Sequence, residues 1–223
     1  MPGSTIIASA REAIKKLKSR FTRRVFTRIY VRGRWRSGGT LSGHGSTRQE
    51  TEVIRSELPR LLHELGIRSM LDIPCGDFNW MQELDLGAVQ YIGADIVSPL
   101  IEENRGRFGR EGRKFIVANV IRDALPPVDL VLCRDCLVHL SNEDALRAAR
   151  NAKKSQAKYL LATTYPTRTE NKPILTGQWR AVNMQLPPFS FPPPLELINE
   201  NCRADGGRWA DKSLGLWRIA DLP

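Results

Sequence analysis

Leu71-Asp-Ile-Pro-Cys-Gly-Asp-Phe78 is the stretch whose reading decides the fold. Ser69–Ile73 is a short apolar run of strand character that carries an acid near its end. Pro74 and Gly76 stop it, since proline has no N–H for a ladder and glycine takes backbone conformations closed to other residues. Asn79-Trp-Met-Gln-Glu-Leu84 then reads as the start of a helix. An acid at a strand end, a tight turn and a helix N-terminus make a nucleotide-type pocket. The turn lets backbone approach the ligand, and free helix N–H groups can hold an anion. An ordinary strand–turn–helix shares this local pattern, so a second landmark is needed.

Val89–Val97 supplies it. This run reads as a buried strand with Asp95 at its C-terminal end, 23 residues after Asp72. In a β–α–β unit, an acid ending the second strand stands beside a ribose. Either acid alone is commonplace, but the ordered pair sits where a parallel sheet opens its ligand crevice.

The body continues in the same rhythm. Lys114–Asn119, Val128–Cys133 and Lys158–Thr163 are further strand patterns, alternating with helices or crossovers, which predicts a parallel α/β sheet. Thr51–Leu65 is predicted as a helix with apolar positions Val53, Ile54, Leu58, Leu61, Leu62 and Leu65, a kink or break at Pro59 and an end at Gly66. A polar helix is expected over Ser98–Phe108, and Ser141 should cap another, with Asp144 completing the box. Leu195–Cys202 and Leu214–Ile219 read as a terminal hairpin.

From Thr164 to Pro194 the pattern breaks into a proline-rich excursion too long for an ordinary connection. Such excursions often form substrate walls. Trp179, Arg180 and Asn183 offer an aromatic face, a cation and an amide, while Phe189 and Phe191 add apolar surface. The expected acceptor site therefore lies between Arg134–His139 and this segment.

Charge is unevenly placed. The chain is +10 overall, yet residues 1–48 hold 12 Lys or Arg against one acid, Glu12, leaving 22 basic and 23 acidic residues beyond. Residues 1–49 read as a basic helical extension with a Gly/Ser-rich lid or linker, and residues 50–223 as the main domain. Ile14, Leu17, Phe21 and Val25 recur at helical spacing from Ala10 onward. Three uses fit that helix: packing on the body, lying on an anionic membrane, or touching nucleic acid, with body packing preferred. Ser42, Gly43, Gly45 and Ser46 mark the loop that could close over a ligand. No stretch has the length and character of a transmembrane helix, and four cysteines set within α/β elements favour a reducing compartment, so the expected location is cytoplasmic.

Among the chemical groups, Cys133 and Cys136 have Cys-x-x-Cys spacing, with Cys75 and His139 as further soft ligands. No second compact ligand pair exists, so no metal site is assigned and the thiols are read as buried or pocket-lining. Asp135 and His139 could move or orient a proton. There is no Gly-x-Ser-x-Gly elbow, no Walker lysine motif and no His-Glu-x-x-His.

With these residues in place, Leu71–Phe78 resembles the first motif of class I S-adenosylmethionine-dependent methyltransferases. Tyr91–Asp95 resembles their second motif, Phe115–Asn119 their adenine-side motif, and Asp129–Leu140 their fourth. The likeness covers roughly Glu50–Thr164. It implies a seven-stranded, mostly parallel α/β sheet ending in an antiparallel hairpin, with S-adenosylmethionine over the C-terminal edges of the early strands. It further implies that Asp72, Pro74, Cys75, Gly76, Asp77 and Phe78 surround the methionine end and that Asp95, with Ile96, holds the ribose. Asn119, with Val120, would meet the adenine amino group, and Cys133 and Arg134 would flank the methionine. Pro74 and Phe78 stand where glycine is common, and Asn119 replaces a common acid.

The function so implied is methyl transfer to an oxygen or nitrogen of a small-molecule acceptor, with Asp135 and His139 as the catalytic candidates. A macromolecular methyltransferase, a noncatalytic RNA-binding or regulatory protein on the same fold, and a nicotinamide-dependent oxidoreductase are the alternatives. The basic N-terminus leaves an anionic membrane or nucleic acid as further partners.

Overall fold

A computed structural model describes residues 20–223. Its strands are β1 (Ser69–Asp72), β2 (Gln90–Asp95), β3 (Arg113–Val117), β4 (Leu130–Cys133), β5 (Tyr159–Thr164), β6 (Glu196–Asn199) and β7 (Ser213–Arg218). Among the described residues they form one seven-stranded sheet, ordered β3-β2-β1-β4-β5-β7-β6. β1 to β5 run parallel, and β7 enters antiparallel between β5 and β6. The expected architecture is therefore present. The chain leaves β1 towards β2 and β3, then returns to β4 on the other side. That reversal opens a crevice at the C-terminal ends of β1 and β4.

Side-chain alternation distributes the strands over two cores. Leu71, Val131, Leu160, Ala162 and Trp217 face one core, where α4 (Asn142–Lys154) contributes Ala145, Ala148 and Ala152. Met70, Leu130, Leu132, Leu161 and Leu216 face the other, covered by Ile54, Leu58, Leu61 and Leu62 of α2 (Glu52–Glu64). Each fully buried leucine contributes about 1.5–3 kcal/mol from area removed from water. α2 runs through Pro59 without a break. It ends at Gly66 (φ 60), where the Gly66 and Ile67 N–H groups donate to the His63 and Leu62 carbonyls. Helix α3 spans Ser98–Phe108, and Ser141 Oγ caps α4 by accepting from Asp144 N. No helix of the described residues is long and apolar enough to cross a membrane.

Two expectations are corrected. Residues 79–84 form only a 3-10 turn, Met81–Glu83, instead of an α-helix. Trp80, Met81 and Leu84 pack beneath α2, which already occupies that face of the sheet. The anion-holding helix N-terminus expected there is thus absent. In the N-terminal helix, Ile14 and Leu17 lie outside the described residues. Over residues 20–31 (α1), Phe21 is 62% exposed, while Thr22 and Ile29 are buried and Phe26 and Tyr30 are half-buried. The inward face is set by Thr22, Phe26, Ile29 and Tyr30; of the expected positions that are described, Val25 packs on the body and Phe21 does not. Packing on the body is observed directly: a Cβ at Gly177 would stand 2.5 Å from Val25 Cγ1.

Candidate active site

The turn after β1 is stitched between its neighbours. Ile73 N donates to the Leu132 carbonyl, Cys75 N to the Ala94 carbonyl, and Asn104 Nδ2 of α3 to the Gly76 carbonyl at 2.8 Å. Gly76 lies at φ 54, and a Cβ there would stand 2.2 Å from Ser42 Oγ, so only glycine lets the lid loop approach. Gly76 N and Val97 N donate to the two oxygens of the buried Asp95 carboxylate, at 3.3 and 2.9 Å. Burial nevertheless raises Asp95 to about 6. Burial likewise raises Asp72 to about 7, against the Tyr91 hydroxyl that donates to its Oδ2 at 2.7 Å.

Residues 37–47 fold over this turn, and Asp77 is their anchor. Its carboxylate accepts from Thr40 Oγ1 at 2.9 and 3.0 Å, Leu41 N at 2.6 Å and Ser42 Oγ at 2.9 Å. Asp77 N donates back to Ser42 Oγ at 2.9 Å. Asn79 Nδ2 holds the Ser46 carbonyl at 3.1 Å, and Arg134 Nη2 holds the Gly45 carbonyl at 2.7 Å. A short polar loop is thereby fixed at three places.

The segment after β4 forms the opposite wall. Buried Arg134 pairs with buried Glu200, its Nε donating to Oε2 at 2.9 Å, and stacks 5.5 Å from the Trp80 ring centre. Asp135 sits at φ 50, an uncommon conformation for a residue with a side chain. Its N–H donates to Thr163 Oγ1 at 2.8 Å, and its Oδ2 accepts from Lys212 Nζ at 2.6 Å. Arg134 Nη1 is 3.3 Å from the same oxygen. Burial opposes ionisation of Asp135, but Lys212 and Arg134 outweigh it and hold the carboxyl well below its usual range. A carboxylate so held accepts a proton poorly near neutrality. Burial pushes His139 below its ordinary value, against the Gln178 carbonyl and Asp135. His139 Nδ1 lies 3.0 Å from that carbonyl, which can only accept, so Nδ1 carries the proton and Nε2 is the free acceptor.

These elements surround a cleft that is partly open to solvent. Of the residues expected at a cofactor, Asp72, Pro74, Cys75, Gly76, Asp77, Asp95, Ile96, Asn119, Val120 and Arg134 line it, as do Asp135 and His139. Asn119 Oδ1 accepts from Ile121 N at 3.0 Å, while its buried Nδ2 has no partner. The free group is a donor. It suits an acceptor such as a ring nitrogen.

Phe78 and Cys133 do not line the cleft. Phe78 is buried against Tyr91, Phe108 and Phe115, and Cys133 points into the sheet core. The expected acceptor wall is also absent from it. Arg180 donates to the carbonyls of Leu137, Val138 and Leu140 and to Asn142 Oδ1. Asn183 donates to the carbonyls of Pro166 and Arg168. Phe189 is core, and Trp179 packs against Tyr165 and Trp209. These polar side chains satisfy the backbone of a segment that has no ladder of its own. In their place α1 and the turn that follows it supply Thr22, Phe26, Tyr30 and Trp35, with the Trp35 ring 4.6 Å from the His139 ring and 5.9 Å from the Phe26 ring. The i, i+4, i+8 spacing of Thr22, Phe26 and Tyr30 is the sequence signal that could have found them.

No family model and no curated protein matches the sequence. Solved structures do. TnmH superposes with a TM-score of 0.55 at 14% identity, over 76% of this chain and 55% of that one. Human N-acetylserotonin methyltransferase in complex with S-adenosylmethionine gives 0.52 at 13% identity, over 76% and 56%. The chain spans little more than half the length of either. At these identities the likeness is one of fold, and the fold is that of class I S-adenosylmethionine-dependent methyltransferases.

Proposed function

We propose that this chain transfers a methyl group from S-adenosylmethionine to an oxygen or nitrogen of a small-molecule acceptor. One observation carries the reading: Asp72, Asp95 and Asn119 meet around one cleft at the C-terminal strand ends, and Asn119 offers it a buried donor with no partner. The donor set suits the cofactor. Asp95 has acceptor capacity left for a diol, Asn119 Nδ2 fits a ring nitrogen of adenine, and the Asp72–Gly76 turn stands where the amino-acid end would lie. The human methyltransferase of the same fold holds this cofactor in its own structure. When bound, S-adenosylmethionine supplies a methyl already activated on a sulfonium.

The work left to the protein is alignment, exclusion of water and, for a protonated nucleophile, proton removal. The lid and α1 exclude water. Phe26, Tyr30 and Trp35 orient the acceptor by its apolar surface. His139 Nε2 takes the proton, while Asp135, held as an ion by Lys212 and Arg134, favours the imidazolium that forms against the opposing charges of Lys212 and Arg180.

The test is product identification. The purified protein is incubated with methyl-labelled S-adenosylmethionine and a metabolite extract, and labelled products are resolved by mass. A labelled acceptor whose formation falls in Trp35→Ala, with cofactor binding retained, supports the reading. Label found only in S-adenosylmethionine across every extract, from a protein that binds the cofactor, would contradict it.

A further inference from the structure

Helix α1 has two faces, and the cleft uses only one. Thr22, Phe26 and Tyr30 turn inward. At 100° per residue, Arg20, Phe21, Arg24, Arg28 and Val31 share the opposite side. All five are exposed, Phe21 at 62% and Val31 at 70%. Arg23, Arg32, Arg34 and Arg36 add four more exposed cations, and residues 20–36 contain no acid. None of these seven arginines forms an ion pair among the described residues. Elsewhere Arg55, Arg60, Arg107, Arg147 and Arg168 pair with carboxylates. Exposed arginines without an ion pair among the described residues, such as Arg68, Arg110, Arg150, Arg208 and Arg218, are scattered singly along the chain, so the concentration of seven within 17 residues is what sets α1 and its turn apart. The segment that packs on α1 at Gly177 also presents Leu175, 75% exposed.

We propose that the outer face of α1 docks on an anionic lipid bilayer. Unneutralised arginines complement headgroup phosphates, and the interleaved Phe21 and Val31 give apolar side chains to insert at the acyl boundary. A nucleic-acid groove would use the same cations but would leave Val31 without purpose. Docking places α1 between the bilayer and the cleft that its inner face walls, so the acceptor is a membrane-borne amphiphile. That last step rests on the methyl-transfer reading; the docking itself does not.

The experiment is co-sedimentation of the full chain with phosphatidylcholine vesicles, with and without phosphatidylglycerol, at low and high salt. Binding to the anionic vesicles alone, weakened by salt, is expected. Arg24→Glu/Arg28→Glu should weaken it at least about 25-fold, at about fivefold per arginine. Phe21→Ser/Val31→Ser should weaken it about tenfold by removing the inserted surface. Arg24→Gln/Arg28→Gln is the milder companion, and thermal melts by circular dichroism confirm that each variant folds. Failure to sediment with either vesicle overturns the proposal. So does binding that Phe21→Ser/Val31→Ser leaves unchanged while RNA binds with the same salt dependence, which would assign the face to nucleic acid. Calorimetry with S-adenosylhomocysteine, run in parallel, tells loss of docking from failure of the methyl-transfer reading.

Discussion

Replacing Asp77 by alanine should open the lid while leaving the sheet intact. The carboxylate accepts hydrogen bonds from three groups of the loop: Thr40 Oγ1, Leu41 N and Ser42 Oγ. Hydrogen bonds to a charged acceptor are worth about 1.5–3 kcal/mol each, so the gross loss is about 5–9 kcal/mol. The site is half-buried, and water can replace the carboxylate once the loop lifts. A net loss of about 2–4 kcal/mol is therefore the reasonable scale. At about 1.4 kcal/mol per decade, the open-to-closed ratio rises roughly 30- to 1000-fold. Hydrogen exchange reads this directly. The Leu41 amide, which donates to Asp77 Oδ2, should lose protection by that factor or until the loop is fully open. Amides in the β1–β2 ladder should exchange as before, because the loop makes no bond to them. Asp77→Asn, which keeps one acceptor oxygen, should fall between. Unchanged Leu41 protection in Asp77→Ala would refute the clasp.

Lys212→Met leaves buried Glu200 and Arg134 and half-buried Asp135 with one uncompensated negative charge, so urea unfolding should show a loss of about 3–5 kcal/mol, partly recovered by adding Asp135→Asn. Asp72 and Asp95 bind a proton more tightly folded than unfolded, so the stability they contribute is full below about pH 4 and is lost as pH rises through about 6 and about 7. Cofactor-free protein should lose stability over that window with a slope of up to about 1.4 kcal/mol per pH unit per group, and Asp72→Asn should flatten its upper half. In turnover, the rate should fall on the acid side with a midpoint below 6.5, the ordinary histidine value from which burial lowers His139, and His139→Gln should abolish that limb together with most activity.

Much of the fold was legible because a buried parallel sheet writes itself as short apolar runs. The expected strands agree with the observed ones within a few residues, and Asp72 and Asp95 sit at strand ends as read. The misses have physical causes. Asn79–Leu84 has apolar residues at helical spacing, but a 3-10 turn tucked under α2 buries Trp80, Met81 and Leu84 equally well. Periodicity cannot separate the two. Arg180 and Asn183 looked like ligand-facing groups because the carbonyls that claim them lie well away along the chain, at Leu137–Leu140 and at Pro166–Arg168. Glu200 and Lys212, which complete the charge cluster with Arg134 and Asp135, lie on the two sides of the loop joining β6 to β7, far from Asp135 in sequence. The lid was legible in composition, while its anchor at Asp77 was assigned to the ligand instead.

The most direct test of the central claim is calorimetric titration of S-adenosylhomocysteine at pH 8, where Asp95, raised to about 6, is ionised. One site per chain is predicted. Asp95→Ala should weaken it about a hundredfold, the scale of two charge-assisted hydrogen bonds at about 1.5 kcal/mol each. Asn119→Asp should weaken it at least about tenfold by turning a donor into an acceptor. Absence of binding to the wild-type chain, or equal affinity in wild type and Asp95→Ala, would contradict the assignment of this cleft to the cofactor.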